Sequence, residues 1–387
     1  MSKKVVLLGS TGSIGCSSLK VAHDLPEEIK IIALAANDNV AKLAEQARET
    51  GVKHVAIYDA TKREELRRLL PNDVTIHCGA EGLLEIATLD EADIVLVAIV
   101  GTAGLHPALA AIRAGKNLAI ASKEILVMAG EIITREASLA GVMLLPVDSE
   151  HNAIYQCLDG RLGGEADVSR LILTASGGPF RETPADELQK VTLAEALKHP
   201  TWKMGRKITI DSASMFNKGL EMIEARWLFG IGMERIDVVV HPQSIIHSMV
   251  EFIDGSVLAQ LSNTDMCFPI QYALTWPARK KGGLRPLNFP ELGKLEFFAP
   301  RETDFPSLRL ARQAGLTGGT LPAVFNAANE IAVDAFIAGD LSFPGIWRLV
   351  EATMDAHKTQ PASELEAVIE ADNWARQHSR GLLAVQD

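Results

Sequence analysis

The stretch KKVVLLGSTGSIG, residues 3–15, decides how the chain folds. Its first half is a short apolar, β-branched run. Its second half spaces Gly9, Gly12 and Gly15 three residues apart. A strand that enters such a turn and then a helix has the layout of a dinucleotide-binding crossover. Residues without a Cβ permit the tight turn and let a pyrophosphate approach the N–H groups at the helix start. A glycine spacing alone also fits an ordinary strand-to-helix turn, and here the flanking strand and helix strengthen the nucleotide reading.

Outward from this turn, short apolar runs recur at Lys4–Leu8, Lys30–Ala36, Lys53–Tyr58, Val74–His77, Asp93–Ile99, Asn117–Ala121 and Val142–Val147. Helical patterns separate them at Val40–Glu49, Arg63–Leu70 and Thr102–Ala114. Alternation of this kind predicts an α/β domain, a Rossmann-like open parallel sheet with helices on both faces, over residues 1–149. After Asp148 the pattern changes. Val168–Thr174, Ile236–Val240, Ser244–Phe252 and Ser256–Leu261 read as strands, and Leu188–Leu197 and Leu220–Phe229 as helices. This predicts a central α+β domain with its own sheet over 150–275. Residues 276–306 hold Pro277, Pro286, Pro290, Pro300 and Pro306 and read as an extended linker. Residues 307–387 read as a C-terminal helical domain.

Composition narrows the function. The formal net charge is −11 and only 5% of residues are aromatic. Basic residues cluster only briefly, at Lys62-Arg63, Arg67-Arg68 and Arg279-Lys280-Lys281. Nucleic acid is therefore not an expected partner. Cys16, Cys78, Cys157 and Cys267 form no C-x-x-C pair, which fits a reducing cytoplasm and neither a zinc site nor a disulfide framework. The strand pattern begins by Lys3, so no targeting peptide is expected. No apolar stretch reaches the ~20 residues of a membrane span, so no membrane partner is expected.

Polar residues gather where doubly wound folds place their ligands, at the carboxyl ends of strands. Asp148-Ser149-Glu150-His151-Asn152 ends the last strand of the first domain. In a strand residues two apart face the same side, so Asp148 and Glu150 can converge, and two such carboxylates suit a hard divalent cation; a surface acidic turn is the alternative. Lys123 stands at another strand end, where its ammonium would polarise a carbonyl or steady an enolate-like oxygen, unless it is a surface partner of Glu124. The run DSASMFNKGLE, 211–221, combines hydroxyl, amide and ammonium donors with Glu221, a phosphate cradle or an ordinary polar loop. Ser176-Gly177-Gly178 would add donors. His199 to Gly205 carries Trp202 and Met204 and reads as a lid over a ligand or as core packing. His241 and His247 read as structural. At the end of the second strand, Asp38 has two readings. Its carboxylate would bind a ribose 2′-OH, or Asp38 or Asn39 caps the following helix.

Together these segments resemble the 1-deoxy-D-xylulose 5-phosphate reductoisomerase family. The resemblance covers nearly the whole chain: GSTGSIG at 9–15, KE at 123–124, VDSEHNAI at 147–154 and TASGGPF at 174–180. It continues through HPTWKMGRKITIDSASMFNKGLEMIEARWLF at 199–229, HPQSIIHSMVEF at 241–252 and NAANEIAV at 326–333. It implies a cytoplasmic homodimer that uses NADPH and one Mg²⁺, Mn²⁺ or Co²⁺ ion to rearrange and reduce a small sugar phosphate. It further implies that Thr11, Gly12, Ser13 and Ile14 bind cofactor phosphates, with Asn37, Asp38, Asn39, Ser122, Glu124, Met204 and Gly205 as further cofactor positions. Asp148, Glu150 and Glu221 would hold the ion. Lys123, Ser149 and Glu150 would surround the reacting carbons, with Lys123 and Glu150 in the acid–base step. Ser176, His199, Ser212, Asn217 and Lys218 would take the phosphate end, under a flap at 199–205 carrying Trp202. Whether the rearrangement runs by retro-aldol and aldol steps or by a concerted ketol shift is open. Two positions depart from the pattern. Asn37-Asp38 stands where many members carry Gly-Lys, which removes a cation near the 2′-phosphate, and Ser122 stands where Asn is usual. A simple dehydrogenase of the homoserine type and a nicotinamide-sensing regulator are the rival readings.

Overall fold

A computed structural model describes residues 2–159 and 166–384; residues 1, 160–165 and 385–387 lie outside it. Its contacts divide the chain into two compact units. The first comprises residues 1–125, 133–152 and 265–285; the second comprises 126–132, 153–264 and 286–387.

The first unit is a seven-stranded parallel sheet: β1 (Lys3–Leu8), β2 (Ile29–Ala36), β3 (His54–Ile57), β4 (Thr75–Cys78), β5 (Ile94–Val97), β6 (Asn117–Ile120) and β7 (Leu144–Pro146). The spatial order is β4-β3-β2-β1-β5-β6-β7. β1 therefore lies between β2 and β5, where the winding reverses. Such a switch point opens a crevice at the carboxyl ends of the strands, and the glycine turn leaves β1 there. The central strands are apolar throughout because both faces are covered; Val5 to Leu8 and Ile94 to Val97 are buried. The helix Cys267–Thr275 packs in the same unit against the helix Ser13–Asp24, although nearly 250 residues separate them.

The second unit holds a mixed four-stranded sheet of β8 (Val168–Ala175), β9 (Ile236–Val240), β10 (Ile246–Phe252) and β11 (Val257–Leu261), in the order β11-β10-β8-β9. β8 and β9 are parallel; β10 runs antiparallel to β8 and β11. The helix Phe216–Phe229 packs against Ser307–Thr317, and Leu321–Ala338 packs against Gly345–Ala356 and Leu365–Ala384. Leu321–Ala338 is long and apolar enough to resemble a short membrane span, but 78% of it is buried within the protein, which makes it a core helix. The α/β class, the parallel N-terminal sheet, the second sheet and the helical C-terminal region are those expected from sequence.

Three local expectations change. Leu188–Leu197 is not one helix. It divides into a 3₁₀ turn at Ala185–Lys190 and a short helix at Leu193–Ala196, because Thr192 and Glu195 form a capping box that starts a new helix. Residues 211–221 are not a loop. They end one helix, Arg206–Ala213, and begin the next, Phe216–Phe229, with Met215 left-handed at the break (φ 66°). β7 stops at Pro146, so Asp148 and Glu150 are not strand neighbours. Asp148 instead precedes the helix Ser149–Cys157, and its carbonyl accepts from Asn152 N at 2.8 Å.

Gly9 is the point on which the nucleotide turn depends. Its φ is +92°, and a Cβ there would lie 2.3 Å from the carbonyl oxygen of Ala98. Gly51 is also left-handed, at φ +67°, but a Cβ there meets open space. Gly9→Ala is expected to lower unfolding free energy by roughly 2–4 kcal/mol and Gly51→Ala by about 1 kcal/mol, as read by chemical denaturation. Equal effects would show that backbone handedness, not the close approach of β5, limits Gly9.

Candidate active site

In the first unit the phosphate turn is fastened from behind. Ser10 is fully buried, and its Oγ lies 2.8 Å from Gln46 Oε1, while Gln46 Nε2 donates to Ser10 O at 3.0 Å. Gln46 was not singled out from sequence, because nothing in the helical pattern of 40–50 marks it. A Cβ on Gly15 would lie 2.3 Å from Gly9 O, so helix and turn are in close contact. Gly12 precedes the helix Ser13–Asp24, no side chain caps it, and Gly12 and Ser13 are exposed. The helix thus starts at two exposed residues with no side-chain cap, and this cradle fits a dinucleotide's phosphates.

At the end of β2, Asn39 rather than Asp38 caps the next helix: its Oδ1 accepts from Lys42 N at 3.2 Å. Asp38 is exposed, which leaves its carboxylate available to a ligand. Ser122 is buried, and its hydroxyl donates to the carbonyls of Val97 and Ile99. That commits the hydroxyl to the end of β5.

Lys123 begins the helix Lys123–Ala140 directly after β6, and Glu124 is buried beside it. Lys123 Nζ lies 2.5 Å from Asp148 Oδ2, with 6% and 13% of the two side chains exposed. Ser149 Oγ donates to Glu150 Oε2 at 2.6 Å. His151 is fully buried, with Nδ1 4.0 Å from Asp148 Oδ2. Asn152 Nδ2 holds the segment in place by donating to Pro146 O at 2.8 Å and Pro269 O at 3.1 Å. The two strand ends thus bring Lys123, Asp148, Ser149 and Glu150 together. Both carboxylates lie at a helix start, where the helix dipole favours negative charge.

In the second unit a histidine organises the polar cluster. His199 Nε2 lies 3.0 Å from both Ser176 Oγ and Ser212 Oγ. Its Nδ1 accepts from the backbone N–H groups of Thr201 (3.2 Å) and Trp202 (2.9 Å). Two donors on Nδ1 place the proton of the neutral ring on Nε2, so the ring donates to a serine. Ser176 Oγ in turn accepts from Gly178 N at 3.1 Å. The same contacts shape the segment 199–205: Trp202 is half-buried, its ring centroid 6.1 Å from that of His247. Met204 is half-buried and Gly205 exposed at the start of the helix Arg206–Ala213. His247 Nε2 hydrogen-bonds with Ser262 Oγ at 2.9 Å, and His241 Nδ1 with the carbonyl of Glu296 at 2.9 Å.

The helix Phe216–Phe229 carries the charged part. Glu221 is fully buried, pairs with Lys218, and accepts from Asn217 Nδ2 at 2.5 Å. Glu224, one turn on and also fully buried, escaped the sequence reading because it sits in an apolar helical pattern. Asp211 is a framework residue: Lys207 Nζ lies 2.7 Å away and Asn329 Nδ2 donates to it at 2.9 Å.

Sequence profiles described as 1-deoxy-D-xylulose 5-phosphate reductoisomerase, its C-terminal domain and the DXP reductoisomerase C-terminal domain match residues 5–130, 144–229 and 261–378. The chain is 51% identical to 1-deoxy-D-xylulose 5-phosphate reductoisomerase of Symbiobacterium thermophilum over 385 residues, 98% of each chain. It is similar to the solved structure of the Zymomonas mobilis reductoisomerase in complex with NADPH, with 45% identity, 99% of each chain covered and a TM-score of 0.93. A DOX-P reductoisomerase structure in complex with NADPH, fosmidomycin and magnesium matches at 39% identity and a TM-score of 0.94, again with 99% of each chain covered.

The buried pair on the helix Phe216–Phe229 sets a stability test. Lys218→Met strips the ammonium from the buried Glu221 carboxylate and is expected to cost roughly 3–5 kcal/mol. Adding Glu221→Gln should recover most of that loss in chemical denaturation. A single variant as stable as the parent would show that the pair contributes nothing to folding.

Proposed function

We propose a division of labour among these residues from one premise: the chain belongs to the 1-deoxy-D-xylulose 5-phosphate reductoisomerase family. It is an NADPH-dependent oxidoreductase that rearranges the skeleton of 1-deoxy-D-xylulose 5-phosphate and reduces the product to 2-C-methyl-D-erythritol 4-phosphate, on the non-mevalonate route to isoprenoids. Its cofactors are NADPH and a divalent metal. The observation that carries the residue assignment is the Lys123–Asp148 pair at adjoining strand ends, with Ser149 and Glu150 beside it.

We assign the ion to Asp148, Glu150 and Glu221, an all-oxygen donor set that suits Mg²⁺, Mn²⁺ or Co²⁺. The bound ion supplies Lewis acidity toward the substrate's ketone and neighbouring hydroxyl. Lys123 holds a positive charge where oxyanion character develops during rearrangement, and Glu150 moves the hydroxyl proton. Ser149 orients Glu150 through the hydrogen bond between them. Ser176, Ser212, Asn217 and Lys218 bind the phosphate end, and His199 sets the serine hydroxyls by donating from Nε2. Asn217 and Lys218 now lean on Glu221, so phosphate binding draws donors away from that carboxylate. Trp202 and Met204 exclude water above the substrate, and Gly205 approaches the cofactor. Thr11, Gly12, Ser13 and Ile14 bind the cofactor's phosphates, and Asn37, Asp38 and Asn39 border its adenosine ribose. Ser122 and Glu124 act at the nicotinamide end.

The functional divisions are a cofactor domain at 1–149, a catalytic domain at 150–275, a linker at 276–306 and a helical domain at 307–387. A cytoplasmic location is supported by the absence of a disulfide among four free cysteines. A homodimer is supported by β11, an edge strand on which Val257 and Leu258 are about half exposed.

NADPH absorbance with 1-deoxy-D-xylulose 5-phosphate tests this reading. Oxidation should require Mn²⁺ or Mg²⁺ and stop with a chelator. Asp148→Asn, Glu150→Gln and Glu221→Gln should each reduce kcat/KM by about a hundredfold or more while circular dichroism stays unchanged. Metal-independent turnover, or full activity in these variants, would contradict the assignment.

A further inference from the structure

The recognition of the cofactor's 2′-phosphate needs a cation, and the positions at the end of β2 do not supply one. Asn37 and Asn39 are neutral, and Asp38 is an exposed carboxylate of the wrong sign. A doubly wound fold holds the adenosine ribose between the first glycine turn and the end of the second strand, and an NADP-binding member places a basic side chain there.

Lys42 occupies that place. It stands in the first turn of the helix Val40–Thr50, three residues after the cap Asn39, and that turn has no acidic residue. A cation at a helix N-terminus opposes the helix dipole, which favours anions there. Local preference thus does not explain the residue. The side chain bends toward the glycine turn, and Nζ donates to the carbonyl of Thr11 at 2.9 Å. The ammonium therefore sits, half-buried, at the carbonyl of Thr11, on a helix that starts directly after the β2 end. Gly12 and Ser13 on one side of this seam, and Asn37, Asp38 and Asn39 on the other, are exposed. An anion bound at this seam meets the Lys42 ammonium and the positive end of the helix that carries it.

We propose that Lys42 is the residue that reads the 2′-phosphate of NADPH and offsets the charge of Asp38. It selects the phosphorylated cofactor over NADH. The proposal rests on the NADPH reading above, and it adds a residue to the site.

Binding tests it apart from turnover. Isothermal titration calorimetry would compare NADPH, NADH, 2′,5′-ADP and 5′-AMP on the full-length protein and on Lys42→Ala, Lys42→Gln and Lys42→Arg. Lys42→Ala and Lys42→Gln should bind NADPH and 2′,5′-ADP about tenfold to hundredfold more weakly, the range for losing a hydrogen bond to a charged group. Their affinity for NADH and 5′-AMP should change by no more than about twofold. Lys42→Arg should retain the preference. Lys42→Gln keeps a donor for Thr11, so an equal loss for NADH and NADPH in Lys42→Ala alone would show that Lys42 merely props the turn. Unchanged NADPH binding in both neutral variants would also overturn the proposal. Failure of the parent protein to bind NADPH would instead count against the cofactor reading itself.

Discussion

A carboxylate removed from water must be neutralised, and much of this chain's polar architecture answers that requirement. Glu221 is fully buried on the helix Phe216–Phe229 and is held by Lys218 and Asn217. Asp148, mostly buried, is held by Lys123. The ordinary cost of such burial is several kcal/mol per ion, so neither carboxylate would be retained for stability alone. A divalent ion would meet the same need more strongly than an ammonium.

The surrounding fold makes these placements possible. Parallel strands covered on both faces end together at one edge, and residues just past that edge start helices. Lys123 and Ser149 are the first residues of such helices, after β6 and β7 respectively. The glycine turn after β1 occupies the equivalent position at the switch point, and Gln46 braces it through Ser10. In the second unit the backbone does comparable work. Thr201 and Trp202 N–H groups fix which His199 nitrogen is the acceptor, and this directs the other nitrogen to Ser176 and Ser212.

Much of this was legible in the sequence, for a local reason. Gly9 is required by a single left-handed φ and one close contact, and alternating apolar runs record strands covered on both faces. What was misread depended on distant residues. Gly219 looks like a loop glycine beside Asn217 and Lys218. It lies inside a helix, where a Cβ would come within 2.9 Å of Ala311 Cβ, so close packing explains it. Asp148 and Glu150 alternate as strand residues would, yet β7 ends at Pro146 and their geometry is that of a helix start. The cap at the end of β2 had two candidates, and a single hydrogen bond from Lys42 N identifies Asn39. Glu224 gave no signal because burial of a charge in an apolar pattern is invisible without the partner elements.

Rearrangement before reduction separates this protein from a simple dehydrogenase built on the same nucleotide-binding sheet. The most direct measurement is nuclear magnetic resonance of the product formed from 1-deoxy-D-xylulose 5-phosphate, Mn²⁺ and NADPH deuterated at the transferable nicotinamide position. The expected product is a branched 2-C-methyl-D-erythritol 4-phosphate with deuterium on the carbon reduced from the aldehyde. An unbranched polyol with deuterium at the former ketone carbon would contradict it.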